Sequence, residues 1–310
     1  MQRRTPFHLL TIAAFCGVLA LPSCGGGGGG ASSPDPAPST GVAGELTRVA
    51  TTEAGLPYGL YQAVDGAGNV YASVANADQP PGLAIVKIAP TGSVATLASG
   101  LTNPSGRGLA VRGMALDAQG NLYFAELYFG DCVSRFCAGF AGVVRKLSRE
   151  GDLTTLAGSR ETDYDRDGIG TAAGFAPVTG LALDRAGNVY VAETGSIRKI
   201  TPAGAVSTVA TIAGANGLAV DGAGVLFASI CASPNDGTPK FPTSMVVRID
   251  AAGASQVVAG SPDGETGSVD GPAADARFFC PGGLASMPAA TCSSPTPATT
   301  RCAGWPPTDS

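Results

Sequence analysis

Histidine is nearly missing from this 310-residue chain: the single copy, His8, lies in its first ten residues. Nothing downstream can therefore form a Ser-His or Cys-His nucleophilic pair, and a zinc site with histidine ligands is excluded there. A G-x-S-x-G elbow is also missing. Charge is scarce, at 14% of residues against the roughly 25% usual for globular chains, which argues against a charge-rich disordered polymer and a coiled coil. Basic clusters are absent and acids outnumber Lys plus Arg by 24 to 19, so the footprint needed for phosphate contacts is lacking and nucleic-acid binding is not expected. No apolar run is long enough to span a bilayer comfortably. What the chain has in excess is glycine, 45 residues, and proline, 23, with a mean hydropathy of +0.20. Such a composition suits many short strands joined by turns.

The first residues read as an export signal. Arg3 and Arg4 form a basic start, Phe7 to Leu21 an apolar stretch, and Ser23 a small residue at the cut. The end, Leu21-Pro22-Ser23-Cys24, resembles the bacterial lipobox, which implies lipidation of Cys24 after removal of residues 1–23. Pro22 is an unusual occupant of its place. Residues 24–43, Cys24 followed by six glycines and ASSPDPAPST, read as the lipidated residue and a flexible Gly/Ser/Pro tether. Gly25, in place of Asp, favours outer-membrane sorting in a cell with two membranes. Cleavage removes two arginines and no acid, taking the formal net charge from −5 to −7. The expected location is thus outside the cytoplasm, with the membrane reached through a lipid anchor only.

Four segments then repeat one pattern, led by Asp65, Asp117, Asp184 and Asp221 at separations of 52, 67 and 37 residues. They read DGAGNVYASV, DAQGNLYFAE, DRAGNVYVAE and DGAGVLFASI. Each is followed by a second pattern, starting at Ile85, Val143, Ile197 and Val246, of the form IVKIAPTGSVATLA. Every unit reads as four short strands. The turns at Asp65 and Asn69, Asp117 and Asn121, Asp184 and Asn188, and Asp221 supply positive-φ positions and side-chain acceptors for hairpins. No segment holds a 3.6-residue apolar period over ten residues. The prediction is an all-β fold, a β-propeller of four-stranded antiparallel blades over residues 44–285.

These motifs resemble NHL repeats, a propeller family usually six-bladed, and in particular its bacterial lipoprotein branch. The D-x-x-G-N core, the IRKITP-like strand and the inter-blade segments from Asp167-Gly168 and Asp270-Gly271 carry the resemblance. It implies four intact blades and a truncated fifth. It implies little about activity, because propellers host many unrelated functions.

After Gly282-Gly283-Leu284-Ala285 the fifth repeat gives way to SMPAATCSSPTPATTRCAGWPPTDS. Suitable G/C-rich codons for this tract, read from the third base, spell VDARGNVFVADTGNHAVRRV. The last base of the Met287 codon with the first two of Pro288 gives alanine without choice. Residues 286–310 are thus expected to be a disordered tail, a frameshifted reading of blade five. Closure of the ring would then be lost, and Leu46 to Ala50, which resembles a fourth strand, would lack the blade it should complete.

Candidate chemistry is sparse. Cys132 and Cys137 in the DCVSRFC insert are expected to pair in an exported chain, and Cys231 with Cys280 is a further possible pair. Asp163, Asp165 and Asp167 alternate ahead of Gly168, as a calcium loop does, but the twelfth position is Gly174 where an EF-hand has glutamate. A solvated inter-blade loop is the competing reading. Glu126 and Glu193 share one repeat position, near which the other units carry Ser73 and Ser229, and strand-end capping is their expected role. Related lactonases of the gluconolactonase and senescence-marker type hold a divalent ion with carboxylates and Asn at such places.

Two classes of function follow. One is a binding or scaffold module for a protein, peptide or glycan; the other is a metal-dependent lactonase- or lyase-like hydrolase. A product without independent function is the third reading, resting on the tail. Sequencing the coding DNA checks the frameshift: an alternative frame should encode an NHL-type repeat after Ala285, and the absence of one removes the idea.

Overall fold

The computed structural model describes residues 62–76, 82–104, 106, 108–130, 140–160, 165–231, 244–262 and 265–286. All lie in one compact unit spanning Thr52–Ser310, whereas Met1–Thr51 forms another, wholly outside the described residues. Cys24, the tether, Leu46 to Ala50, Cys132, Cys137, Asp163 and residues 287–310 are likewise outside them.

Seventeen strands and one short 3-10 turn, Gly170–Ala172, make up the described secondary structure. Blade one is β1 (Gln62–Val64), β2 (Val70–Asn76), β3 (Gly82–Ile88) and β4 (Val94–Leu101). Blade two is β5 (Leu109–Leu116), β6 (Leu122–Phe129), β7 (Phe140–Leu147) and β8 (Leu153–Ala157). The connection to blade three contributes β9 (Gly168–Ile169). Blade three is β10 (Val178–Leu183), β11 (Val189–Glu193), β12 (Ser196–Ile200) and β13 (Ala205–Thr211). Blade four is β14 (Ala215–Val220), β15 (Leu226–Cys231), β16 (Ser244–Ile249) and β17 (Ser255–Gly260). Each blade is an antiparallel meander in chain order, and β9 adds a fifth strand to the outer edge of β13. The chain is a β-propeller.

Burial explains the arrangement. The second strands lie between two neighbouring sheets, so β11, VYVAE, is buried at every residue. Outer strands meet water, and β4 is exposed at five of its eight residues. First strands line the axis: β1 packs on β5, β5 on β10 and β10 on β14. Among the described residues no comparable packing joins blade four to blade one.

The cores lie between blades. Tyr71, Ile85 and Leu101 of blade one meet Leu122, Phe124 and Leu147 of blade two. Tyr123 and Val144 meet Phe175, Val178 and Val191 at the next junction, and Tyr190 and Ile197 meet Leu218, Ile230 and Ile249 at the third. A single blade would leave both apolar faces wet.

Hairpin chemistry recurs with the sheets. In blade one, Asp65 Oδ1 accepts the N–H groups of Ala67 and Asn69, while Oδ2 accepts Asn69 Nδ2 at 2.7 Å and the Tyr71 hydroxyl at 3.2 Å. Asp117 and Asp184 repeat the full set with Asn121 and Tyr123, and with Asn188 and Tyr190. Blade four has Val225 and Phe227 instead, so Asp221 keeps only the backbone bonds. The expectation that Asp and Asn supply positive φ needs correction. Only the glycines do so, at Gly68, Gly120, Gly187 and Gly224, and the carboxylates act as acceptors. Burial pulls the Asp65 carboxyl upward, but the bonds from Asn69, Ala67 and Tyr71 outweigh it and hold the group below 3.8.

Glycine also sets how closely the blades approach at the axis. A Cβ on Gly180 would run into the Asn216 carbonyl oxygen, and one on Gly217 into the Gly282 carbonyl. Gly282-Gly283 thus sits against blade four as Asn216-Gly217 sits against blade three, so the first residues of a fifth unit occupy their expected place. Gly180→Ala should destabilise the protein by about 1–3 kcal/mol, read as a lowered midpoint in chemical unfolding. Gly66→Ala, with open space around the added methyl, should change it little.

Candidate functional site

The two ends of the blades differ in kind. One end carries the four aspartate hairpins and the β3–β4, β7–β8, β12–β13 and β16–β17 turns, the last but one of them bonded by Gly170 of the inter-blade connection. At the other end the connections vary, from Glu193 to Ser196 in blade three up to Cys231 to Ser244 in blade four. Both glutamates of the shared repeat position stand at this second end, and both are buried, Glu126 at 1% and Glu193 at 0% exposure.

Neither glutamate caps its own strand. Glu193 Oε1 faces Arg198 Nη1 at 3.3 Å, and Oε2 accepts the Ala176 N–H at 3.1 Å, tying the approach to β10 onto β11. Arg198 is fully buried, and its Nη2 reaches Asp167 Oδ1 at 2.5 Å. Arg198 also lies over the Phe175 ring. Asp165, held at a left-handed φ of 53°, stands beside Glu193. Burial first, and then Asp165, push the Glu193 carboxyl up to about 8, against the opposing pull of Arg198 and the Ala176 N–H.

Blade two builds the counterpart differently. Glu126 accepts the Tyr128 hydroxyl in a short hydrogen bond and faces Arg145 at 4.0 Å, while Arg160 lies 4.3 Å from the Tyr128 ring centre. Burial raises the Glu126 carboxyl, opposed by Tyr128, Arg145 and Arg160. The same burial, with Glu126 beside it, pushes Tyr128 up. The register places Arg145 opposite Phe124 and Arg198 opposite Val191, which are equivalent sites. In blades one and four the matching pairs are apolar, Val74 with Val86 and Ile230 with Val247.

The arginines escaped the sequence reading although a signal exists. Units two and three carry both Glu and Arg, and units one and four carry neither at these positions. Asp165 and Asp167 come together with Glu193 around Arg198. A cation there would compete with the guanidinium for Asp167, and Asp163, the first carboxylate of the expected calcium loop, lies outside the described residues. Among the described residues no group of three or more His, Cys, Asp or Glu is gathered for a metal. The inter-blade segment is not a merely solvated loop either, because Ala173, Phe175 and Ala176 are buried and β9 pairs with β13. Cys231 and Cys280 form a disulfide that fastens the end of β15 to the segment beyond blade four.

No family model matches the chain, and no curated protein does. Several solved structures are similar. A protein of unknown function from Bacteroides thetaiotaomicron is 18% identical, with a TM-score of 0.47, over 72% of this chain and 53% of its own. A putative oxidoreductase (glucose dehydrogenase) from Thermus thermophilus is 17% identical, TM-score 0.45, over 74% of each chain. A gluconolactonase from Xanthomonas campestris is 17% identical, TM-score 0.41, over 63% of this chain and 60% of its own. The chain therefore spans only about half the length of the first of these.

Two outcomes test the buried pair. Arg198→Val alone should cost about 1–3 kcal/mol of unfolding free energy by leaving the buried Glu193 carboxyl without its Arg198 partner, and adding Glu193→Ile, as in blade four, should recover most of it. Glu193 also links stability to pH. Its folded-state value lies above the ordinary 4.5, so its contribution is complete below about 4.5 and is lost as pH rises to about 8. Unfolding titrations across that range should show Glu193→Gln losing less stability with rising pH than the unmodified chain.

Proposed function

We propose that the chain is an exported, lipid-anchored propeller of NHL-repeat type that serves as a binding or scaffold module. Cys24 carries the lipid, the Gly/Ser/Pro tether gives reach, and the blades face the periplasm or the cell exterior from the outer membrane. The ligand is a protein, peptide or glycan held on the end with variable connections. One observation carries this reading. The carboxylates at that end are engaged within the fold, Glu126 by the Tyr128 hydroxyl and Glu193 by Arg198 and the Ala176 N–H, which leaves the connections to make contacts with a partner. A lactonase- or lyase-like activity would need such carboxylates free to hold an ion or move a proton in an accessible site.

The anchor is tested by labelling cells with an alkyne fatty acid and fractionating membranes: label and membrane association should both vanish in Cys24→Ser. For the binding role, immobilised protein is challenged with glycans and peptides from cell-envelope material. Replacing residues 232–243 by a Gly/Ser segment should abolish capture without changing the melting temperature. Turnover of δ-gluconolactone with added Ca²⁺ or Zn²⁺, lost in Glu193→Gln, would contradict the proposal.

A further inference from the structure

The Glu–Arg pair of blade two stands in a junction that lacks the filling its counterpart in blade three receives. Phe124, Glu126 and Tyr128 alternate along β6 and so share one face, and Arg145 stands opposite Phe124 on that face. Phe124 shares a core with Ile85 and Leu101, so this face is the one turned to blade one. By the same alternation and register, Glu193 and Arg198 share the face of Val191, which is turned to blade two. The two pairs thus occupy equivalent places in successive junctions.

The connections that lead into the two blades differ. Residues 158–177 precede blade three and bring three groups to its pair. Asp167 Oδ1 accepts from Arg198 Nη2, the Phe175 ring centre lies 5.8 Å from the guanidinium, and the Ala176 N–H reaches Glu193. Blade two is preceded only by residues 102–108, TNPSGRG, which contain no carboxylate and no aromatic ring.

The difference shows in the guanidiniums. Arg198 is fully buried, whereas the Arg145 side chain is 20% exposed. Arg145 Nη1 donates to Thr155 Oγ1 at 3.1 Å, and its Nε, 4.0 Å from Glu126, has no hydrogen-bond partner. The Glu126 carboxyl is taken by the Tyr128 hydroxyl, and the exposed Arg160 lies against that tyrosine's ring. Both guanidiniums act on Glu126, and among the described residues neither has an ion pair with any other carboxylate. Two cations therefore share at most one negative charge in blade two, while in blade three one guanidinium meets both Asp167 and Glu193.

From this contrast we infer that blade two takes from a partner what blade three takes from its own connection: an acidic peptide segment, set between blades one and two at the end with variable connections, with a carboxylate on Arg145 and Arg160. Residues 165–176 are the internal example of such an occupant, an Asp on the guanidinium followed eight residues later by a phenylalanine beside it. Guanidinium and carboxylate match in shape as well as charge, and the excess of positive charge favours an anion. The inference rests on the binding-module reading and adds to it a ligand class and a place.

Fluorescence anisotropy tests this, with the full chain in mild detergent titrated into a labelled peptide that has the sequence of residues 165–176. The peptide should bind, and its form with Asn for both Asp165 and Asp167 should bind at least about tenfold more weakly. Arg145→Gln should weaken binding to a similar extent, and so should Arg160→Ala, whose exposed side chain keeps the test valid if the first variant melts early. Raising salt from about 0.05 to about 0.5 M should weaken binding too. Arg149→Ala, on the exposed β7–β8 turn, should leave it unchanged. No binding, equal binding of the Asn peptide, or an equal loss in Arg149→Ala would each overturn the inference. So would binding of an oligouronate in place of the peptide. Binding that appears only after Asp131→Asn, Glu161→Gln and Asp163→Asn would mean that the chain's own carboxylates fill the place, and would overturn it as well. If the peptide fails while envelope material is still captured through residues 232–243, this inference falls and the binding-module reading stands; failure of both removes both.

Discussion

Apolar faces that only a neighbouring sheet can cover govern this molecule. Each four-stranded meander is a ribbon with a wet outer strand and two apolar sides. The chain hides those sides by repeating the meander around an axis. That is why the cores fall at the junctions, and why a second strand such as β11 is buried from end to end. Glycine sets the spacing where the sheets converge. At Gly180 and Gly217 the backbone of one blade takes the room a methyl group would need in the other.

Within that frame the polar groups serve geometry. The aspartate hairpins fold both carboxylate oxygens back on their own turn and bind the tyrosine whose ring enters the next junction. Turn and core are therefore coupled through one side chain. The loss of both Asn and Tyr in blade four, as Val225 and Phe227, fits that coupling, since Oδ2 then has no side-chain donor to receive. The Glu–Arg pairs of blades two and three occupy sites that blades one and four fill with apolar residues, so a buried polar pair is one of two solutions to the same packing problem.

Much of this architecture is readable from the residues. Aspartate, glycine and aromatic positions recur at fixed offsets because hairpin geometry demands them, and strand order follows from the short turns. The site was less legible. Glu126 and Glu193 stand out by their repeat position, but their partners lie on the next strand, and strand pairing across a connection of unfixed length brings them together. Arg198 illustrates the difficulty: it reads as part of an IRKI strand, while its guanidinium gathers Asp167 from a different connection. The carboxylates ahead of Gly168 suggested calcium because alternation puts oxygens on one side of a turn, and only the fold reveals the buried cation already among them. The Cys231–Cys280 bond likewise depends on a distance between blade and segment that spacing alone does not define.

Hydrogen exchange of the full chain along a urea series tests the inter-blade account most directly, because it reports which strands open together. If burial lies at the junctions, amides of β6, β11 and β15 should exchange through one shared opening, with a common denaturant dependence, while β4 and β17 exchange sooner. Separate openings for blades two, three and four, each with its own dependence, would contradict the claim that no blade is stable without its neighbour.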